Sequence, residues 1–170
     1  MTAHASGKLF FLCGKMAAGK STLARALAAR EDAVLLVQDE WLQRLFPDEI
    51  VDVPAFLNRS ARVQAALEPH IAALLARGLP IVLDFPGNTK RQRAWFRRLL
   101  DVTGADHELH VLDVSDDLCK RRLRARSQAL PPGTAWTTDA EFDAITAYFD
   151  PPSSAEGFRI IRHDREDEVG

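Results

Sequence analysis

The sequence predicts an α/β fold in which one parallel β-sheet carries helices on both faces. Short apolar runs typical of buried strands alternate with segments of helical periodicity along the chain. The strand candidates are almost wholly apolar, as expected where both faces of a sheet are covered. A glycine-rich turn joins the first strand candidate to the first helix candidate. Together these observations favour a sheet whose strands are connected by helices.

Five apolar runs are predicted to be strands. They are short and are bounded by turn residues or charges, and they cover residues 9–13, 33–37, 79–85, 107–114 and 158–163. The third is apolar until Asp84, near its end. Because parallel strands end at the same edge of a sheet, we expect ligands to bind beyond these carboxyl ends.

Six segments with apolar residues at intervals of three or four are predicted to be helices. Thr89 and Gln92 have the spacing of a capping box, and Gly104 is a typical helix stop. Pro69 lies within the long third segment and predicts a kink or a break there. The segments cover residues 22–30, 41–46, 55–77, 89–103, 115–126 and 138–149.

The composition is that of an ordinary globular protein. Of the 170 residues, 46% are apolar and 27% are charged, and 22 basic side chains nearly balance 24 acidic ones. This balance argues against a long polyanion groove or a membrane surface as partner. No apolar run approaches the ~20 residues that span a bilayer. We expect residues 1–170 to form a single cytoplasmic domain in which Cys13 and Cys119 are reduced and packed.

The glycine-rich turn reads Gly-Lys-Met-Ala-Ala-Gly-Lys-Ser over residues 14–21 and fits the phosphate-loop pattern G-x-x-x-x-G-K-S/T. Its amides and the following helix N-terminus are expected to face the phosphates of ATP. Lys20 is predicted to reach the phosphate oxygens, and Ser21 to complete the shell of Mg²⁺. A plain glycine turn beside a surface lysine is the alternative. The predicted nucleotide-binding residues are Gly14, Lys15, Met16, Ala17, Ala18, Gly19, Lys20, Ser21 and Thr22.

Carboxylates follow the second and third strand candidates. Asp39 is the predicted general base, the alternative being that it caps the next helix. Asp84 is predicted to hold Mg²⁺ with Ser21 or to hold the acceptor. The predicted acceptor site consists of Asp39, Trp41, Asp84, Asn88 and Arg91. For Arg91 a solvated helix face is an equal alternative.

A basic cluster crowds the fifth helix candidate and comprises Lys120, Arg121, Arg122, Arg124 and Arg126. Arg122 and Arg126 are four residues apart and therefore project from one face. Like charges at this density repel unless an anion is near, so we expect a lid over the phosphates in the region of residues 116–137. The alternative is an ordinary solvated basic helix.

These residues make the chain resemble small P-loop kinases related to zeta toxins, chloramphenicol phosphotransferase, gluconate kinase and polynucleotide 5′-hydroxyl kinases. The resemblance implies a three-layer P-loop NTPase fold with a five-stranded parallel sheet in the order 2-3-1-4-5. It also implies that Asp39 deprotonates the acceptor hydroxyl and that Arg122 and Arg126 hold the triphosphate. The matching residues are the phosphate loop, the Gln38-Asp39-Glu40 step, Leu83-Asp84 with Asn88, and Cys119-x-x-Arg122-x-x-x-Arg126.

The sequence therefore predicts an ATP-dependent phosphotransferase that transfers the γ-phosphate to a hydroxyl of a small molecule. Three alternatives stay open: a nucleic-acid 5′-hydroxyl kinase, an ATP-hydrolysing nucleotide-binding switch, and a zeta-like toxin. The near-neutral charge balance disfavours a nucleic-acid partner. No pattern within residues 127–157 identifies the acceptor.

Overall fold

A computed structural model describes residues 6–132 and 137–164, in which strands and helices alternate. The strands are β1 (Lys8–Cys13), β2 (Val34–Val37), β3 (Ile81–Asp84), β4 (Asp106–Asp113) and β5 (Ile160–Asp164). The helices are α1 (Lys20–Arg30), α2 (Gln38–Leu45), α3 (Val53–Leu75), α4 (Lys90–Thr103), α5 (Asp116–Gln128) and α6 (Asp139–Thr146). A 3₁₀ turn, Ser154–Glu156, precedes β5.

The strands form one parallel sheet in the order β2-β3-β1-β4-β5. The central strand β1 pairs with β3 on one side and β4 on the other, so that Phe10 lies opposite both Val82 and Glu108. The predicted α/β class and strand order are confirmed. All strands point the same way, so the loops after β1, β2 and β3 meet at one edge of the sheet.

The core lies on both faces of the sheet. Alternate residues of β1 point to opposite sides, with Leu9 and Phe11 in one apolar cluster and Phe10 and Leu12 in the other. The first cluster includes residues of α3 and α4, and the second includes residues of α1, α5 and α6. Both cysteines are buried and free, as the sequence predicts. The helices are therefore held against a sheet that is apolar on both sides.

Helix α4 confirms its predicted ends. Thr89 and Gln92 form the capping box, and Gly104 closes the helix with a φ of 62°. Helix α3 runs through Pro69 as one helix, so the predicted break is wrong, whereas the predicted kink stays a prediction. Its buried residues Val63, Leu67, Ile71 and Leu75 lie on both sides of the proline. Packing of this stripe against the core outweighs the backbone hydrogen bond that proline removes.

Part of the predicted lid lies beyond what the structure describes. Helix α5 covers its first half, whereas residues 133–136, including Trp136, lie outside the described residues. None of the helices in the described ranges combines the length and the hydrophobicity needed to cross a lipid bilayer.

Candidate functional site

The phosphate loop is a tight turn between β1 and α1. Gly19 has a φ of 101° and forms the N-cap of α1, a conformation that favours glycine. A Cβ on Gly14 would lie 3.3 Å from atoms of Ala18 and Leu112, so the loop lies close against β4. Within the described residues, no side-chain oxygen caps the first turn of α1 and that turn holds no acidic residue. Its N–H groups therefore suit an anion.

Two cations converge on this loop. Nζ of Lys20 donates to the carbonyl oxygens of Gly14 and Lys15, the latter at 2.8 Å. Burial lowers the pKa of Lys20, although the neighbouring carboxylate of Asp84 opposes the shift. Nη1 of Arg122, on α5, donates to the carbonyl oxygens of Ala17 and Ala18 at 3.2 Å each. The positive charge predicted for Lys20 and Arg122 thus lies at the loop.

Ser21 and Asp84 form a hydroxyl–carboxylate pair at the end of the loop. Oγ of Ser21 donates to Oδ2 of Asp84 at 2.8 Å. Hydroxyl and carboxylate oxygens are the hard ligands that Mg²⁺ prefers, and Mg²⁺ commonly takes only one or two of them besides water and phosphate oxygens. The two residues predicted to hold the metal therefore fit that role.

Asp39 lies beside this pair. Val37 is paired with Asp84 across β2 and β3, and Asp39 follows two residues later in the first turn of α2. The N-cap of α2 is Val37, so Asp39 does not cap the helix, contrary to the alternative interpretation. Surrounding protein atoms and the charge of Asp84 raise the pKa of Asp39, while Lys20 opposes them. Asp39 keeps part of its surface exposed to solvent and lies within reach of the charges of Lys20 and Asp84.

Asn88 connects the loop after β3 to the phosphate loop. Its Oδ1 accepts a hydrogen bond of 2.9 Å from the backbone N–H of Gly14. Its own N–H donates to Oε1 of Gln92, and its carbonyl oxygen accepts from the N–H of Asp150 at 2.8 Å. Asp84 and Asn88 therefore hold the last and the first residue of the phosphate loop. The amide oxygen of Asn88 is thus already engaged by Gly14. The role expected for Asn88 in binding the acceptor stays a prediction.

A buried ion pair, which sequence reasoning missed, supports the loop after β3. Arg93 has no exposed surface, and its Nε and Nη2 donate to the carboxylate of Glu156 at 2.8 and 3.1 Å. Its Nη1 donates to the carbonyl oxygen of Gly87 at 2.9 Å. The sequence signal for burial of Arg93 was its position three residues before the buried Phe96, because that spacing places both residues on the same face of α4. The partner, in a predicted loop 63 residues away, had no sequence signal.

Three predicted residues are not brought into this cluster by any contact. Trp41 and Arg91 are exposed, and Trp41 lies about 160° around α2 from Asp39 by helix geometry. Arg126 is exposed as well, and its guanidinium makes no hydrogen bond or ion pair with any residue in the described ranges. Their roles stay predictions.

The basic cluster of α5 is partly neutralised within the protein. Lys120 pairs with Asp143 at 2.7 Å, and Arg124 pairs with Asp139. Both aspartates belong to α6. The expectation that a bound anion neutralises the whole cluster is therefore wrong for these two cations, because α6 supplies the opposite charge.

A cavity of about 460 Å³ opens beside the phosphate loop. It lies at the carboxyl ends of β4 and β5 and is lined by Lys15, Asp113, Val114, Ser115 and Asp164. Nζ of Lys15 is 2.6 Å from Oδ1 of Asp116, so this side chain is ion-paired rather than solvated. The volume is within the range of small-molecule sites.

Comparison with known proteins finds a matching family model and similar folds. A family model described as AAA domain matches residues 9–152. A protein of Chloroflexus aurantiacus has a similar structure, with a TM-score of 0.72 and 20% identity over 95% of this chain and 89% of that chain. Shikimate kinase from Bacteroides thetaiotaomicron has a TM-score of 0.62 and 21% identity, over 96% of this chain and 91% of that chain. The Mycobacterium tuberculosis APS kinase CysC, in complex with AMPPNP and APS, has a TM-score of 0.60 and 20% identity, over 95% of this chain and 91% of that chain.

No curated protein sequence matches the chain. At these identities the structural likeness shows the fold alone. That fold is the P-loop fold, and the similar structures include kinases. The family model covers well over half of the chain, and it includes the phosphate loop, Asp39, Asp84 and α5. The chain therefore belongs to the AAA domain family AAA_33, whose P-loop kinase fold the sequence resemblance predicts.

Proposed function

We propose that the protein is an ATP-dependent kinase that phosphorylates a hydroxyl group of a small molecule. The observation that carries the proposal is the position of Asp39, an exposed carboxylate two residues beyond the strand pair that holds Asp84. Asp84 in turn bonds Ser21, at the end of a loop suited to phosphate. A proton acceptor thus lies beside the place where a γ-phosphate would bind.

The nucleotide would lie across the phosphate loop. The loop amides and Lys20 would bind its β- and γ-phosphates, and the cavity next to Lys15 has room for the nucleoside. Ser21 and Asp84 would hold Mg²⁺, which neutralises charge that develops on the phosphates. Arg122 would add a second cation from α5.

Asp39 would act on the acceptor. The acceptor oxygen bonds to the γ-phosphorus while the bond from that phosphorus to the β–γ bridging oxygen breaks, and ADP leaves. The hydroxyl proton passes to the Asp39 carboxylate. Because surrounding protein and Asp84 raise the pKa of Asp39, it accepts a proton more readily than an ordinary aspartate does.

A lid over residues 116–137 belongs to the same proposal. Arg122 already contacts the phosphate loop, and Arg126 projects from the same face of α5 one turn later. Closure of α5 would bring Arg126 to the triphosphate, where an arginine stabilises the transferring group. We further propose that the whole chain acts as one domain.

The test is a screen for ATP-dependent phosphorylation of hydroxylated metabolites, antibiotics, nucleosides and 5′-hydroxyl oligonucleotides, read by mass spectrometry. Asp39→Asn should lower kcat by about 10²–10⁴-fold with ATP binding unchanged. Glu40→Gln, one residue away and also exposed, is the matched control and should keep its activity. In wild type, kcat should fall at low pH, with a midpoint above the ordinary aspartate pKa, because protonated Asp39 cannot accept a proton.

Full activity of Asp39→Asn would remove the assignment of the base. Preferential phosphorylation of oligonucleotides, weakened steeply by salt, would identify a nucleic-acid end kinase instead. Release of phosphate from ATP with no phosphorylated product would identify a nucleotide switch.

A further inference from the structure

The segment from α2 to the start of α3 exposes much of the apolar surface of the protein. Of the twelve large apolar side chains that are exposed in the described part of the chain, six lie within residues 41–57. Single apolar residues scattered over a surface need no explanation, whereas a concentration of them marks an interaction site. The six are Trp41, Leu45, Ile50, Val51, Val53 and Leu57.

Four exposed side chains, Glu40, Trp41, Arg44 and Leu45, form one face of α2, which we call the α2 face. Trp41 and Leu45 are four residues apart, and so are Glu40 and Arg44, so an apolar row lies beside a charged row. Nη2 of Arg44 lies 3.9 Å from Oε2 of Glu40, and the two side chains are 81% and 56% exposed. A pair so loose and so solvated contributes little within the chain, and both charges are able to pair with another molecule.

The α2 face is separate from the proposed catalytic base. Helix geometry places Asp39 about 160° around α2 from Trp41. Gln38 and Leu42 lie between these two side chains around the helix, and both are buried. A small molecule that reacts at Asp39 therefore leaves the α2 face uncovered, and a different partner is required to cover it.

The charge pattern of the α2 face fits a second copy of the same chain. Two α2 helices can pack antiparallel about a two-fold axis that passes midway between Trp41 and Leu45, so that Trp41 of each copy meets Leu45 of the other. Along the helix axis, Glu40 of one copy is then offset by about 3 Å from Arg44 of the other, which long side chains can span. Because the axis is two-fold, this ion pair forms twice. The face is therefore self-complementary, as a two-fold interface requires.

We propose that the chain forms a homodimer through the α2 face, with Trp41 and Leu45 packed against their counterparts and two reciprocal Glu40–Arg44 ion pairs beside them. The exposed apolar residues within 50–57 follow α2 closely in the chain and offer further contact area. Stable interfaces bury about 800 Å² per partner, and α2 has only eight residues, so the dimer should dissociate on dilution. The dimer gives Trp41 a role other than the acceptor contact expected from the sequence. It is independent of the proposed kinase function, and its test uses no substrate.

The first experiment is analytical ultracentrifugation of the full chain at protein concentrations up to about 1 mM. Wild type should change from monomer to dimer as the concentration rises. Leu45→Ser removes apolar surface from both copies and should raise the dimer Kd at least about tenfold. Val102→Ser is the matched control, since Val102 is 70% exposed on α4, and it should leave the Kd unchanged. A wild-type chain that stays monomeric throughout overturns the proposal.

The second experiment reverses charges, which distinguishes this pairing from any other dimer. Arg44→Glu and Glu40→Arg each place like charges opposite one another and should each raise the Kd about tenfold or more. An equimolar mixture of these two variants should form heterodimers with a Kd close to that of wild type, because each copy then meets opposite charges on the other. Asp101→Arg is the matched control, since Asp101 forms another exposed i,i+4 ion pair, with Arg97, and it should leave the Kd unchanged. A dimer that neither variant weakens, or weakened variants that the mixture does not restore, overturn the α2 face as the interface.

Discussion

Replacement of Glu156 by alanine is expected to destabilise the protein strongly. Glu156 makes two hydrogen bonds to Arg93, whose side chain is fully buried, and its own side chain is 16% exposed. Without Glu156 the guanidinium would lose two hydrogen bonds and its opposite charge, and would keep the hydrogen bond that it donates to the Gly87 carbonyl oxygen. Removal of one member of a buried ion pair costs about 3–5 kcal/mol, since the remaining charge is left without compensation.

The effect can be measured by thermal unfolding followed by circular dichroism. In a domain of this size each kcal/mol lowers Tm by about 2–4 °C, so Glu156→Ala should lower it by about 6–20 °C. Glu31→Ala is the matched control. It removes a carboxylate 2.8 Å from Arg30, but both side chains are at least one-third exposed, so the cost should stay at about 0–1 kcal/mol.

A double variant, Arg93→Met with Glu156→Met, removes both charges and should be more stable than Glu156→Ala. The pH dependence gives a further check. Burial raises the pKa of Glu156, but hydrogen bonds from Arg93 and Ser153 outweigh it and hold the pKa below the ordinary value. The pair therefore stabilises the fold above about pH 4.5 and loses this effect as the pH falls through the lowered pKa. A Tm loss in Glu156→Ala no larger than in Glu31→Ala would refute the reasoning.

Two further predictions concern Gly87 and Asn88, in the loop that follows β3. Asn88→Ala removes the oxygen that accepts from the N–H of Gly14, which costs about 1–3 kcal/mol of loop stability, so the KM for ATP should rise at least fivefold; an unchanged KM would show that the loop holds its shape without this bond. Gly87→Ala places a Cβ 2.6 Å from the carbonyl oxygen of Leu12 and 2.8 Å from the Phe96 ring, so overpacking should cost about 1–3 kcal/mol of unfolding free energy. Denaturant unfolding measures this cost, and a variant as stable as wild type would contradict the close packing.

Much of the fold follows from local sequence signals. The alternation of strand and helix patterns predicts a parallel sheet, and the Thr89–Gln92 spacing predicts the start of α4. The contact between Ser21 and Asp84 was also predictable, since Ser21 ends the phosphate-loop motif and Asp84 ends β3. The strand order required the family resemblance, because periodicity does not specify which strands are neighbours.

Interactions between distant segments were not predictable from the sequence. The charge run on α5 gives no sign that Lys120 and Arg124 pair with α6, because those aspartates follow a proline-rich segment. The buried pair of Arg93 and Glu156 is hidden for the same reason. Helical periodicity reports which face of α4 is buried, but not which charge from another element meets it there.

The five residues from Asp84 to Asn88 hold both ends of the phosphate loop, through Ser21 and through Gly14. A substitution in this segment is therefore expected to change the affinity for nucleotide, even when it is intended to change the acceptor. Efforts to redirect the specificity of the proposed kinase should begin instead on α2 and α3, none of whose described residues hydrogen-bonds to Asp84 or Asn88.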